Sequence, residues 1–146
     1  MKGKAPALAI QRASRAAHIP SDRLLHRWAT ATLAAGARVT VRYVAAAEGR
    51  RLNREFRGRD YATNVLSFVY GTRPPAGDVV ICAPVVAREA REQRKDVRAH
   101  HAHLLVHGLL HVAGHDHVRA SERLRMERRE RAILGRLGFP DPYRPI

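Results

Sequence analysis

The chain has 146 residues, of which 45% are apolar, a size and composition that predict one globular domain rather than a disordered chain or a disulfide-stapled miniature. Its single cysteine, Cys82, excludes a disulfide within these residues; lying in the apolar run Val79-Val80-Ile81-Cys82, it reads as a buried inert thiol suited to a reducing cytoplasm. Lys and Arg number 27 against 13 Asp and Glu, a formal charge of +14 with a pI near 11.4, and arginine dominates the basic set. Such a balance points to nucleic acid or another anionic surface. The competing reading is a genome rich in Arg codons, with charges scattered over solvated faces.

Residues 5–13 read as a first strand. Pro20-Ser21-Asp22 opens a helix, capped by Ser21 or Asp22, with Leu24, Leu25, Trp28 and Leu33 on its apolar side and Gly36 at its end. The alternating, β-rich stretch 38–44 predicts a strand. A short helix over 48–57 follows, stopped by Gly58. Residues 64–70 predict a second clear strand, 71–77 a proline-containing loop, and 78–82 another strand. Pro84 suits the first turn of a helix that breaks near Lys95-Asp96. Helix resumes over 97–113, and a last one spans 121–137 with Leu124, Ile133, Leu134 and Leu137 facing the core. The tail 139–146 is proline-rich and extended. Early strands and late helices predict an α+β domain covering residues 1–146. No stretch reads as a signal peptide or membrane span.

Of nine histidines, seven lie between His100 and His117. His107 and His111, four apart on a helix, face the same way with Cβ atoms roughly 6 Å apart, within reach of one ion. Gly114 ends the helix and can take positive φ, so the chain can turn back and bring His117 in as a third ligand. Three imidazoles leave a position open, the arrangement of catalytic zinc. Against this stands a bland alternative in which His103, His107 and His111 form a merely polar stripe. His100, His101 and His103 are given no ligand role, with substrate contact or support of the ligands left open. His115 is expected to be exposed in the turn. Asp116 either orients a ligand imidazole or stabilises the turn. The intervals match the metzincin pattern, but the residue after the first His, where the protease has its glutamate base, is Gly108. A glycine takes no proton, which argues against peptide hydrolysis by that route.

The stretch His107–His117 resembles the signature of the YbeY family, bacterial metal-dependent endoribonucleases and ribosomal RNA maturation factors. Four further segments of this chain are similar to that family: Leu52-Asn53 with Phe56-Arg57-Gly58-Arg59-Asp60; Thr63-Asn64-Val65-Leu66-Ser67-Phe68; Gly77-Asp78-Val79-Val80-Ile81-Cys82 with Pro84 opening the next helix; and the closing Asp141-Pro142-Tyr143. The resemblance spans about residues 38–143. Ala62 and Val69 stand where the family usually or often has proline, and the first 35 residues carry no matching motif.

The resemblance implies a single zincin-like α+β domain, with a small mixed sheet packed with helices and the metal site on a helix and the following turn. It implies one zinc ion held by His107, His111 and His117, with Arg57 and His111 as catalytic residues. Arg57 corresponds to the family's functionally important arginine, whose fork can grip a phosphate; the alternative for it is an ion pair at a helix C-terminus. Arg59, Thr63, Asn64 and Ser67 are candidate substrate contacts, the alternative for Thr63, Asn64 and Ser67 being that they only cap and pair the strand, and Asp60 is expected to be structural. The implied activity is single-strand-specific endoribonuclease cleavage in 16S ribosomal RNA 3′ end maturation and ribosome quality control, in the cytoplasm. The implied partners are the small ribosomal subunit, a ribosomal protein and a ribosome-associated GTPase, with no membrane. The alternative is a non-catalytic assembly factor that zinc stabilises and that grips ribosomal RNA. No side chain stands in for the missing glutamate; His115 and activated water are the candidates for a general base.

Overall fold

The computed structural model describes residues 5–115 and 119–144. Its elements run β1 (Ala7–Arg12), α1 (Asp22–Thr32), β2 (Arg38–Val44), α2 (Ala46–Arg57), β3 (Val65–Thr72), β4 (Pro75–Cys82), α3 (Ala83–Glu92), α4 (Val97–Val112) and α5 (Ala120–Arg136). The strands form one mixed sheet in the order β1-β2-β4-β3. β1, β2 and β4 are parallel, and β3 closes one edge antiparallel to β4. This is the expected α+β architecture.

Period-two alternation decides which side chain faces which layer. Val79 and Ile81 of β4 join Val39, Val41 and Tyr43 of β2 in the main core with Leu25 and Trp28 of α1, Leu105 and Leu109 of α4, and Met126, Ile133 and Leu134 of α5. Val80 and Cys82 point the other way into a smaller cluster with Leu66, Val85, Leu52 and Phe68. β4 is thus covered on both faces, which is why it reads as a continuous apolar run. Burial pushes the Cys82 thiol pKa up, as expected of an inert thiol.

Several expectations shift in detail. Ser21 caps α1, its hydroxyl accepting from the Leu24 N–H at 3.3 Å. The helix stops at Thr32, so Gly36, at φ +82°, serves the turn into β2 rather than the helix end. The expected loop 71–77 is mostly ladder: Gly71 pairs with Ala76 and Thr72 with Pro75, leaving Arg73-Pro74 as a two-residue turn. Pro75 opens β4, where a missing N–H is tolerated. Leu124 is not a core residue but 54% exposed. The buried stripe of α5 runs Met126, Glu130, Ile133 and Leu134, and Leu124 lies about 200° round the helix from Met126.

The element that positions the site is α4. Asp96 caps it, accepting from the Ala99 N–H at 3.1 Å. Wedged between the sheet and α1, α3 and α5, it is buried over most of its circumference. It packs tightly against the sheet at Gly108. A Cβ there would lie 2.7 Å from Val79 Cγ1, 3.2 Å from Ser67 Oγ and 3.3 Å from Val65 Cγ2. The Ser67 hydroxyl donates to the Gly108 carbonyl at 3.3 Å. The helix ends as expected, with Gly114 at φ +103° and the His115 N–H bonded to the Leu110 carbonyl at 3.0 Å.

Alanine favours a helix over glycine by ~1 kcal/mol, yet Gly108→Ala should lower stability by about 1–3 kcal/mol because the methyl overpacks the interface. A thermal melt checks this, and a variant as stable as the native chain would contradict the contact. His101 is fully buried, with Nε2 2.8 Å from His18 Nδ1. Burial, then the neighbouring His18 and His100, lower its pKa to about 3. The unfolded chain therefore binds this proton more readily below about pH 6.5. Stability should be fully present above that pH and fall as pH drops towards 3, with up to about 2 kcal/mol lost by pH 5. Urea unfolding of metal-free protein at pH 7.5 and 5 should show a smaller loss in His101→Gln than in the native chain.

Candidate active site

His107 and His111 sit one turn apart on α4 and both line a groove of about 340 Å³. Its far wall is built by the end of α2, the loop after it and β3: Asn53, Arg57, Arg59, Tyr61, Thr63, Asn64, Val65, Leu66 and Ser67. All seven nominated site residues other than His117 line this groove. β3 carries Ser67 beneath α4, and the αL turn at Gly58, φ +70°, releases α2 just after Arg57. His117 and Asp116 lie outside the described residues. Among the described residues no three His, Cys, Asp or Glu side chains are grouped to hold a metal ion.

Arg57 is braced rather than ion-paired among the described residues. Its guanidinium donates to the Ser67 carbonyl at 2.8 Å and to the Phe56 carbonyl at 3.2 Å, and sits 5.1 Å over the Phe68 ring. Among the described residues its hydrogen-bond acceptors are two backbone carbonyls, which carry no formal charge and leave several of its N–H groups still to donate. Arg59 donates to the Tyr61 hydroxyl at 3.4 Å. Asn64 lines the groove, but its amide donates to Glu89 at 3.0 Å and its carbonyl oxygen accepts the Val65 N–H at 2.6 Å. The Ser67 hydroxyl is likewise engaged with Gly108. Asp60 is held bidentately by Arg50 at 2.8 and 2.9 Å.

The upstream histidines have partners of their own. His100 Nε2 meets Glu89 Oε1 at 2.9 Å, His101 meets His18, and His103 Nε2 meets Glu130 Oε1 at 3.0 Å. His115 is half-buried instead of exposed. It lines a separate hollow with Ala113, Gly114, Glu122 and Arg125, and burial followed by the cations Arg129 and Arg125 lowers its pKa. Its position beside another hollow weakens its candidacy as a base in the His107–His111 groove.

The residue that reading the sequence missed is Glu130. It is fully buried, and Oε1 receives both His103 Nε2 and His107 Nδ1 at 3.0 Å while Oε2 accepts the Tyr143 hydroxyl at 2.7 Å. Burial opposes its ionisation, but the hydrogen bonds from His103, His107 and Tyr143 outweigh it and hold the pKa down to about 2. An ionised carboxylate only accepts, so the proton of a neutral His107 ring is on Nδ1 and its lone pair on Nε2. That is the tautomer of a metal-ligating imidazole backed by a carboxylate. The donor set therefore fits a transition metal: paired imidazoles on one helix face, one of them oriented from behind. The signal in the sequence was an acid on the apolar stripe of α5, four residues after Met126 and three before Ile133.

Residues 11–138 match the family described as endoribonuclease YbeY. The chain is 55% identical over 141 residues to endoribonuclease YbeY of Aromatoleum aromaticum, covering 94% of this chain and 92% of that one. It is 54% identical over 149 residues to endoribonuclease YbeY of Bordetella pertussis, covering 93% and 94%. The solution structure of TM1509 from Thermotoga maritima shares the fold, with a TM-score of 0.58 at 21% identity over 94% of this chain and 99% of that one. With the match running from β1 to the end of α5 and half of all positions identical to named relatives, the chain belongs to the YbeY endoribonuclease family, hydrolases that act on RNA.

Proposed function

We propose that the chain is a zinc-dependent, single-strand-specific endoribonuclease of zincin-like fold, one domain over residues 1–146. On this reading it acts in 16S ribosomal RNA 3′ end maturation and ribosome quality control. The observation that carries the catalytic part is the groove itself: His107 and His111 open on one side of it and the braced Arg57 guanidinium on the other. His107, His111 and His117 hold the ion. When bound, zinc supplies Lewis acidity towards a phosphoryl oxygen or towards water.

The chain's own residues do the rest. Arg57 donates to the non-bridging oxygens of the phosphate and stabilises the negative charge that grows as the P–O bond breaks. Arg59 adds a second cation along the strand, and Thr63, Asn64 and Ser67 shape the wall against which the RNA lies. Cleavage proceeds by water or by the strand's own 2′-OH. Peptide hydrolysis with a glutamate base after His107 is disfavoured twice over: Gly108 has no carboxylate, and the sheet leaves no room for one.

The +14 charge supports an RNA partner, and the family relationship supports the small ribosomal subunit, a ribosomal protein and a ribosome-associated GTPase as its context in the cytoplasm. No helix among the described residues is long and apolar enough to cross a membrane.

Cleavage of a labelled single-stranded RNA by native protein and His111→Ala, purified side by side with zinc content measured, tests the reading. Only the zinc-loaded native chain should cut. Equal cutting by both would assign the activity elsewhere, and zinc-loaded native protein that cuts nothing would favour the non-catalytic assembly factor. Arg57→Ala should keep its zinc and lose cleavage by ~10²-fold or more; native rates in that variant would remove Arg57 from the mechanism. Cleavage should also weaken steeply as salt rises.

A further inference from the structure

We propose that Glu130 is a positioning residue for the metal site, locked in place by the C-terminal tail through Tyr143; this rests on the metal reading of His107, His111 and His117 given above. Packing alone does not call for a carboxylate at this point of α5. Its neighbours on the stripe, Met126, Ile133 and Leu134, are apolar and buried, and a side chain of that kind would fill the place without loss of hydration. Glu130 instead brings a carboxyl group into the interior and sets it within hydrogen-bond distance of three polar side chains. Two are imidazoles of α4, and one of these is His107.

The hydrogen bonds divide cleanly between the carboxylate oxygens. Oε1 faces α4 and takes His103 Nε2 and His107 Nδ1, each at 3.0 Å. Oε2 faces the tail and takes the Tyr143 hydroxyl at 2.7 Å. Tyr143 is itself anchored. Its N–H donates to Asp141 Oδ1 at 2.9 Å, and Arg131, which donates to the same oxygen at 3.2 Å, lies 5.2 Å over its ring. Lys95 ties the segment down, donating to the Pro142 carbonyl at 2.9 Å. Rotation of the carboxylate would break bonds on both sides, so the His107 ring is held in one plane and one tautomer. A carboxylate behind a ligating imidazole also raises its basicity, and loss of such a partner typically weakens metal binding 10- to 100-fold. The tail after α5 thereby becomes part of the site, although Tyr143 does not line the groove.

The test is zinc affinity, measured by competition with a chromophoric chelator on the metal-free full chain, for the native protein, Glu130→Gln, Tyr143→Phe and His111→Ala. Melting temperatures of the metal-free forms are recorded beside them. ¹⁵N shifts of the His107 ring in metal-free protein report its tautomer. Glu130→Gln should bind zinc about 10- to 100-fold more weakly, and its His107 ring should populate both tautomers. Tyr143→Phe, a change on the partly exposed tail, should show a smaller loss in the same direction and carries the test if Glu130→Gln does not fold. Native affinity and a single tautomer in the folded variants, even with lowered melting temperatures, would overturn the positioning role while leaving the metal reading intact. Native protein without stoichiometric zinc, or His111→Ala with native affinity, would overturn the metal reading and this inference with it.

Discussion

The contact of α4 with the sheet at Gly108 is the constraint on which the site depends. A helix carrying any side chain at that position would stand further from β3 and β4. Standing as close as it does, α4 holds His107 and His111 over the edge strand, within one groove of Arg57 and Ser67. The hydrogen bond from Ser67 to the Gly108 carbonyl ties the two walls together at the same point. The absent side chain therefore has a mechanical meaning as well as a chemical one. It removes the base a metallopeptidase would use, and it closes the distance between the histidines and the arginine.

Electrostatics on the two sides of α4 differ. Behind it, Glu130 and Glu89 are carboxylates tied to histidines of the helix, Glu130 wholly buried. In front, Arg57 and Arg59 face the groove, and among the described residues their bonds go to carbonyls and a phenol rather than to carboxylates. Acid behind the imidazoles and cation before them suits a site meant to hold a metal ion and an anionic strand together. Other acids meet arginines instead: Glu48 pairs with Arg42 and Asp60 with Arg50, contacts that tie down α2 and the loop after it.

Much of this was legible in the residues. The strands 38–44 and 78–82, the break before Val97, the Gly58 and Gly114 turns and the four-residue spacing of His107 and His111 each rest on local chemistry that tertiary structure did not override. The errors have local causes too. Prolines at 74 and 75 suggested a loop over 71–77, but one sits in a tight turn and the other at a strand start, where neither costs a ladder bond. Leu124 suggested a core contact by hydrophobicity alone, though it lies off the stripe that Met126 and Ile133 define. Glu130 was lost in the opposite way. Among the many charges of α5 only its phase with Met126, Ile133 and Leu134 sets it apart. Its partners on α4 and in the tail lie up to 27 residues away, a distance that helix periodicity does not reach.

The proposed three-histidine centre joins these parts, and zinc X-ray absorption on the full chain examines it most directly. Purified protein loaded with one equivalent of zinc should give a tetrahedral shell of three imidazole nitrogens at ~2.0 Å and one further light atom, and the imidazole count should fall in His117→Ala. A shell of oxygens alone, or one that His117→Ala leaves unchanged, would contradict the account.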